Sequence, residues 1–216
     1  MARKQTPPPA SEKITATANE IFVAKSGFLK PYATGFQYLP DNIAREPLGM
    51  LAGALAIDDR SETSGYIVNF LASLAKKEYY LNPRRPAIES FEAALHKVNL
   101  GLSELAKEGN TEWIGTLNAA VCAVERNNLH FSVAGKAKVL LLRDRRLSVI
   151  SDGLVETGEY HPMKTFTDVA SGKICAGDRI LITTPELFPP FPNPNSSARR
   201  LVSTARDWND SLKPLS

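Results

Sequence analysis

Cysteine is scarce in this chain: Cys122 and Cys175 are the only two among 216 residues. One pair cannot make a disulfide framework, so a reducing compartment is expected. Long apolar runs are missing as well. The longest, Leu48–Ile57, has ten residues, where a membrane-spanning helix needs about 20. No membrane span is expected. The opening stretch MARKQTPPP has basic residues with no apolar segment behind them. A secretory signal is therefore not expected, and a cytoplasmic location is.

A strong charge of one sign is also lacking. The net charge is only +3, and the excess lies at the two ends. Arg3, Lys4 and Lys13 outweigh Glu12 in residues 1–13, and Arg199, Arg200, Arg206 and Lys213 outweigh Asp207 and Asp210 in residues 189–216. The body between them is close to neutral. A nucleic-acid surface needs Lys and Arg gathered on a folded face, with aromatics among them for single strands. Only Arg84-Arg85 and the Arg143, Arg145, Arg146 turn cluster here, and solvated turns account for both. No nucleic-acid partner is expected. Generic catalytic signatures are missing too: there is no GxxxxGK phosphate loop, no GxSxG and no HExxH. The three histidines, His96, His130 and His161, are isolated in sequence. Cys122 reads as an inert core residue, and Cys175 lies in a turn with no identifiable partner.

What the chain does have is a core. Hydrophobic residues make up 43% and charged residues 23%, ordinary values for a globular domain. Residues 1–13 read as a disordered tail, because Pro7-Pro8-Pro9 favours an extended, solvated backbone. Residues 14–188 form the domain core, 189–194 a Pro-rich joint, and 195–216 a C-terminal helix and short tail of the same domain. Glu20–Ala24 and Thr34–Leu39 are strand candidates, and Leu48–Ile57 is a strand buried on both faces.

Asp59 followed by Glu62 is a capping-box-like helix start. Ile67, Phe70, Leu71, Leu74 and Ala75 then give one apolar stripe. A second helix begins near Pro86, carries Ile88, Phe91, Leu95, Val98, Leu102 and Leu105, and ends at Gly109-Asn110. From Trp113 the period becomes two. Leu117–Glu125 is a strand apolar on both faces, Asn127-Asn128 a tight turn, and Leu129, Phe131 and Val133 alternate in the returning strand. Val139–Leu142, a turn at Asp144-Arg145 and Leu147–Ile150 complete a meander. Thr165–Val169 and Asp178–Thr183 read as further strands. A final helix carries Ala198, Leu201, Val202, Ala205 and Trp208.

These elements do not alternate as βαβ units, and short connections make the meander antiparallel. Strands apolar on both faces need cover on both sides. The expected fold is therefore α+β, a four-layer αββα sandwich of two mainly antiparallel sheets. Residues 211–216, interrupted by Pro214, allow a short edge strand and not a central one, so an open or thinly covered sheet edge is expected beside them unless another chain or further residues complete it, the alternative being a frayed terminus over a sheet closed by other strands.

Five stretches in this order resemble the metal-dependent protein phosphatases of PP2C (PPM) type. Leu51–Ile57 before a polar loop looks like the strand entering that family's Asp-Gly metal loop. Gly115-Thr116-Leu117-Asn118 resembles its Gly-Thr-Thr strand start. The stretch Ser132–Asp144 is similar to its Val-Gly-Asp-Ser-Arg strand pair, Gly172–Leu187 to its Pro-Gly-Asp, apolar strand, Thr-Asp-Gly-Leu pattern, and Ala198–Asp210 to the helix before its terminal Asp-Asn.

The resemblance implies a PP2C-like fold, and in the family aspartates from separate loops hold two Mg²⁺ or Mn²⁺ ions. This chain departs from that pattern. Gly135-Lys136 has a cation where the family has Gly-Asp, and Pro185 aligns with a metal Asp. The first loop reads Ile57-Asp58-Asp59-Arg60, with no Gly-Gly after it, and Asn209-Asp210 is a loose counterpart of the terminal pair. Ser151-Asp152-Gly153-Leu154 has the form of a metal loop, but a turn around Asp152-Gly153 accounts for it.

The function expected on this resemblance is a degenerate phosphatase domain, a pseudophosphatase acting as a binding or regulatory module in signalling. It would have no catalytic residue, no cofactor, and a protein partner of unknown identity. The alternative is an active metal-dependent serine/threonine phosphatase using Mg²⁺ or Mn²⁺ on a rearranged ligand set, Asp58, Asp59, Asp152 and Asp210.

Overall fold

Apolar residues on both faces of a strand require cover on both sides, and the computed structural model supplies it. It describes residues 15–20, 32–59, 61–154 and 161–184. Strands β1 (Tyr32–Tyr38), β2 (Met50–Ile57), β3 (Leu117–Glu125), β4 (Asn128–Ala134) and β7 (Ala170–Lys173) form one sheet in the order β1-β2-β3-β4-β7. Strands β5 (Lys138–Arg143), β6 (Arg146–Val149) and β8 (Arg179–Thr183) form a second in the order β6-β5-β8. Every pairing in both is antiparallel.

The alternation in β3 decides what each face meets. Leu117, Ala119, Val121 and Ala123 pack toward helices α1 (Glu62–Tyr79) and α2 (Ala87–Lys107), with Ile67, Leu71, Phe91 and Leu102. Ala120, Cys122 and Val124 turn the other way, into a second core shared with Phe131, Val133 and Val139 of the strands that follow. Burial there pushes the Cys122 thiol up to about 12, so it is inert at neutral pH. The architecture is the expected α+β arrangement of two antiparallel sheets with helices.

Helix α2 ends as its sequence suggests. Gly109 has φ +91°, and the Asn110 and Gly109 N–H groups bond back to the Leu105 and Ala106 carbonyls at 2.9 and 3.2 Å, the Schellman pattern. Helix α1 is fixed at its end by two tyrosines. The Tyr79 hydroxyl donates to the Leu48 carbonyl at 2.5 Å, and the Tyr80 hydroxyl reaches the Tyr38 and Gly49 carbonyls at 2.8 and 2.7 Å. Both rings are buried, and burial drives the Tyr79 hydroxyl far above its ordinary value.

Four local expectations are corrected. The meander is two hairpins in different sheets, because the chain crosses from one sheet to the other between Ala134 and Lys138. The tight turn is Arg126-Asn127, with φ +53° at Arg126, since Asn128 already pairs with Glu125. Residues 165–169 are no strand. The Asn99 side chain takes both backbone groups of Phe166, at 2.9 and 3.0 Å, so a helix side chain replaces a neighbouring strand while the Phe166 ring enters the helix-side core. The capping box is also absent in its sequence form. Ser61 is the N-cap without a side-chain bond, and Asp59 instead accepts from the Ser61 N–H and the Ser64 hydroxyl at 3.2 and 3.0 Å. The tail 1–13, the joint 189–194, the C-terminal helix, the edge beside 211–216 and all of Glu20–Ala24 except Glu20 lie outside the described residues.

At one end of the sandwich an ion pair joins the sheets' turns. Arg143 donates to Asp178 from Nε at 2.9 Å and Nη2 at 2.6 Å, Nη2 also reaches the Lys173 carbonyl, and the Cys175 N–H donates to Asp178 at 2.7 Å. The Arg143 hydrogen bonds hold the Asp178 carboxyl below the usual aspartate range. A lowered carboxyl stabilises the fold above the unfolded value near 3.9, and that contribution is lost as pH falls through the lower folded value. Asp178→Asn should therefore lower Tm at pH 7, and its deficit against the wild type should close as pH falls below about 4.

Glycine is required at one position near α1. Gly49 has φ +70°, and a Cβ there would stand 2.1 Å from the Val124 carbonyl oxygen. Gly109 has the same sign of φ but open space around it. Urea unfolding should show Gly49→Ala losing at least about 2 kcal/mol, and Gly109→Ala only about 1 kcal/mol.

Candidate functional site

The registers bring particular strand ends together. Ile57 pairs with Leu117, Ala119 with Ala134, and Lys138 with Thr183. The end of β2, the start of β3, the crossing between β4 and β5, and the end of β8 therefore share the end of the sandwich opposite the Arg143–Asp178 pair. The β6 strand runs to the same end, where the turn Ser151–Leu154 places Asp152 beside Lys138.

One side-chain amide organises this end. The Asp58 N–H and the Asn118 Nδ2–H both donate to the Thr116 carbonyl at 3.1 Å. The Asn118 Oδ1 accepts the Lys136 N–H at 2.8 Å. Asn118 is 8% exposed, so its two bonds satisfy an amide that has little access to water. Gly135 makes the approach possible: its φ is +64°, and a Cβ would lie 2.3 Å from the Leu117 carbonyl oxygen. The sequence contained Asn118 within a quoted motif but offered no role for it. The available signal was a polar amide at the start of an otherwise apolar strand.

The candidate metal ligands fare differently. Asp58 and Asp59 are consecutive at the end of β2. Asp58 is exposed, and no hydrogen bond or ion pair engages its carboxylate among the described residues. Asp59 is occupied with the first turn of α1 through Ser61 and Ser64. Asp152 lies 3.7 Å from the Lys138 ammonium, in a turn with Gly153 at φ +87°. Lys136 is exposed at the crossing itself. Asp210 and Pro185 lie outside the described residues.

Two hard cations would need several oxygen ligands converging on them. Among the described residues, no group of three or more His, Cys, Asp or Glu is placed to hold a metal ion. The donor set among the described residues does not fit a two-metal centre, since one carboxylate is bonded to Ser61 and Ser64, one pairs with a lysine, and a second lysine stands at the junction.

The histidines lie elsewhere. His130 Nδ1 is 2.7 Å from the Ser171 hydroxyl across β4 and β7, and burial lowers its pKa. His161 accepts the Met163 N–H at 3.2 Å. His96 lines a groove of about 370 Å³ with Glu92, Asn99, Lys164 and Phe166. No described helix is long and apolar enough to cross a membrane.

No protein-family model matches the sequence, and no curated protein matches it. Solved structures share its architecture. A bacterial serine phosphatase carrying a point mutation superposes with TM-score 0.50 at 10% identity, over 73% of this chain and 77% of that one. The catalytic domain of the serine/threonine phosphatase PstP, in complex with two manganese ions, gives 0.47 at 15% identity over 81% and 91%. The SiaA PP2C domain of Pseudomonas aeruginosa gives 0.48 at 12% identity over 71% and 55%. The first of these carries a likeness of fold, and the phosphatase fold is the one the PP2C resemblance implies. Roles of individual residues do not transfer with it.

The junction makes a direct test of Asn118. Asn118→Ala leaves the Lys136 N–H without its partner, and the loss should be about 2 kcal/mol in urea unfolding. Amide exchange should quicken at Lys136 and Asp58 before it does at Arg143 or Asp178.

Proposed function

We propose that this chain is a PP2C-like phosphatase domain without metal-dependent catalysis, retained as a binding or regulatory module in signalling and working in the cytoplasm with a protein partner. The observation that carries the reading is the charge at the strand-end junction. Lys136 stands there on a backbone held by Asn118, while Asp59 accepts from Ser61 and Ser64 at the start of α1 and Asp152 faces Lys138. A metal-bound water is what supplies a nucleophile at neutral pH in metal-dependent hydrolysis, and this set of side chains does not favour that metal. The likeness of fold to a bacterial serine phosphatase supports the first half of the reading, and the donor set supports the second.

The competing reading is an active serine/threonine phosphatase that binds Mg²⁺ or Mn²⁺ through Asp58, Asp59, Asp152 and Asp210. It has in its favour that the first three of these share one end of the sandwich. Turnover of p-nitrophenyl phosphate and of a phosphopeptide, measured with Mg²⁺ or Mn²⁺, separates the two. The expected rate is that of buffer. Turnover that depends on Mn²⁺, vanishes in Asp58→Ala and survives in His96→Ala would establish the competing reading instead.

A further inference from the structure

The end of the sandwich that holds Arg143 and Asp178 gathers cations. Tyr38 pairs with Leu51, Met50 with Val124 and Glu125 with Asn128, so the β1–β2 loop and the β3–β4 turn leave the same end of their sheet. The Ile174 N–H on the Asn127 carbonyl brings the turn before β8 there, Arg143 on the Lys173 carbonyl brings the β5–β6 turn, and Tyr80 brings the end of α1. Three carboxylates at this end are matched: Asp41 by Arg45, Glu78 by Arg85 and Asp178 by Arg143. Lys77, Arg84, Arg126, Arg145, Arg146 and Arg179 are exposed and in no ion pair among the described residues, against Glu46, Glu89 and Asp144. A nearly neutral body thus carries one cationic end. Two of these arginines sit at hairpin tips, where Arg126 and Arg145 hold φ +53° and +63°. Glycine or asparagine would adopt those left-handed values at less cost. Aliphatic side chains stand out from the same end. Leu39, Ile43 and Leu81 are 63%, 84% and 59% exposed, and the bond from the Tyr80 hydroxyl to the Tyr38 carbonyl brings together the loops that carry them.

We propose that this end docks on an anionic lipid surface, with Leu39, Ile43 and Leu81 entering the headgroup layer and the unpaired cations facing the lipid charges. The inference goes beyond the proposed function and does not depend on whether the chain hydrolyses anything. Charge complementarity selects an anionic partner, and the apolar side chains select its kind. They protrude from two loops and line neither described groove, so a soft, flat partner covers them without a matching cavity. A single-stranded nucleic acid would need exposed aromatic rings on which to stack, whereas the large exposed apolar residues here are aliphatic. Each Lys or Arg held near an anionic leaflet strengthens binding about fivefold, and each inserted aliphatic side chain adds the removal of its apolar area from water. The two contributions fail separately, which makes the docking open to test.

The test is sedimentation of the full chain with phosphatidylcholine vesicles, made with and without about 30% phosphatidylserine. The chain should pellet with the anionic vesicles and stay in solution with the neutral ones. Raising NaCl from about 0.1 to about 1 M, which shortens the Debye length from about 10 to about 3 Å, should release it. Arg84→Glu with Arg145→Glu touches none of the three ion pairs and should weaken binding at least about tenfold. Leu39→Ser with Ile43→Ser should do the same through lost insertion. Lys107→Glu with Ile114→Ser makes similar changes away from this end and should leave binding within about twofold of wild type. Should the serine pair lower Tm, Leu81→Ser must show the loss in its place. No pelleting with anionic vesicles, equal pelleting with neutral ones, or an equal loss in the Lys107 and Ile114 variant would each overturn the inference. So would serine variants that bind as the wild type does. Retention of polyuridylate or polyglutamate by a chain that ignores the vesicles would overturn it in favour of a nucleic acid or an acidic protein.

Discussion

A single amide side chain ties the start of β3 to the crossing at which the chain passes from one sheet to the other. Asn118 spends its NH₂ on the Thr116 carbonyl and its oxygen on the Lys136 N–H, and Gly135 supplies the left-handed backbone that brings the crossing within reach. That close approach holds the start of β5 against β3, beside the inter-sheet core around Val133, Ala137 and Val139. The same bonds decide which charged groups meet at this end. Packing and site chemistry therefore share one cause.

The opposite end is closed by different physics. There Arg143 and Asp178 form a charge-assisted, two-point contact between the β5–β6 hairpin and the turn before β8, stronger than a neutral pair of the same length. The Ile174 N–H adds a bond to the Asn127 carbonyl, tying the connection back to the β3–β4 turn. On the helix side, Tyr79 and Tyr80 anchor the last turn of α1 to the backbone around β1 and β2. The junction at Asn118 thus sits in a frame held at its other corners.

Fold and function separate at this point. The layers and strand directions are those of a phosphatase fold, yet folds host many chemistries and the site has to be argued from its own side chains. Here the carboxylates are distributed among tasks. Asp59 is bonded to Ser61 and Ser64, Asp152 faces Lys138, and Asp58 stands exposed at the end of β2.

The sequence alone determined the elements whose cause is local. Period-two alternation placed β3 at Leu117–Glu125 and assigned both its faces correctly. The 3.6-residue stripe found both helices, and Gly109-Asn110 marked the end of the second, because caps and periodicity depend on near neighbours. Lys136 could be singled out as a cation in the wrong place. What only tertiary structure decided involves partners distant in the chain. Residues 165–169 alternate as a strand would, but Asn99, 67 positions away from Phe166, takes both backbone groups of Phe166. The split of the meander depends on Gly135 meeting Leu117 and Asn118, a contact no window of neighbouring residues contains. The role of Asp59 was hidden for a similar reason. A carboxylate before a helix reads equally as a ligand or a partner of the helix start, and its bonds to Ser61 and Ser64 emerge only in the folded turn.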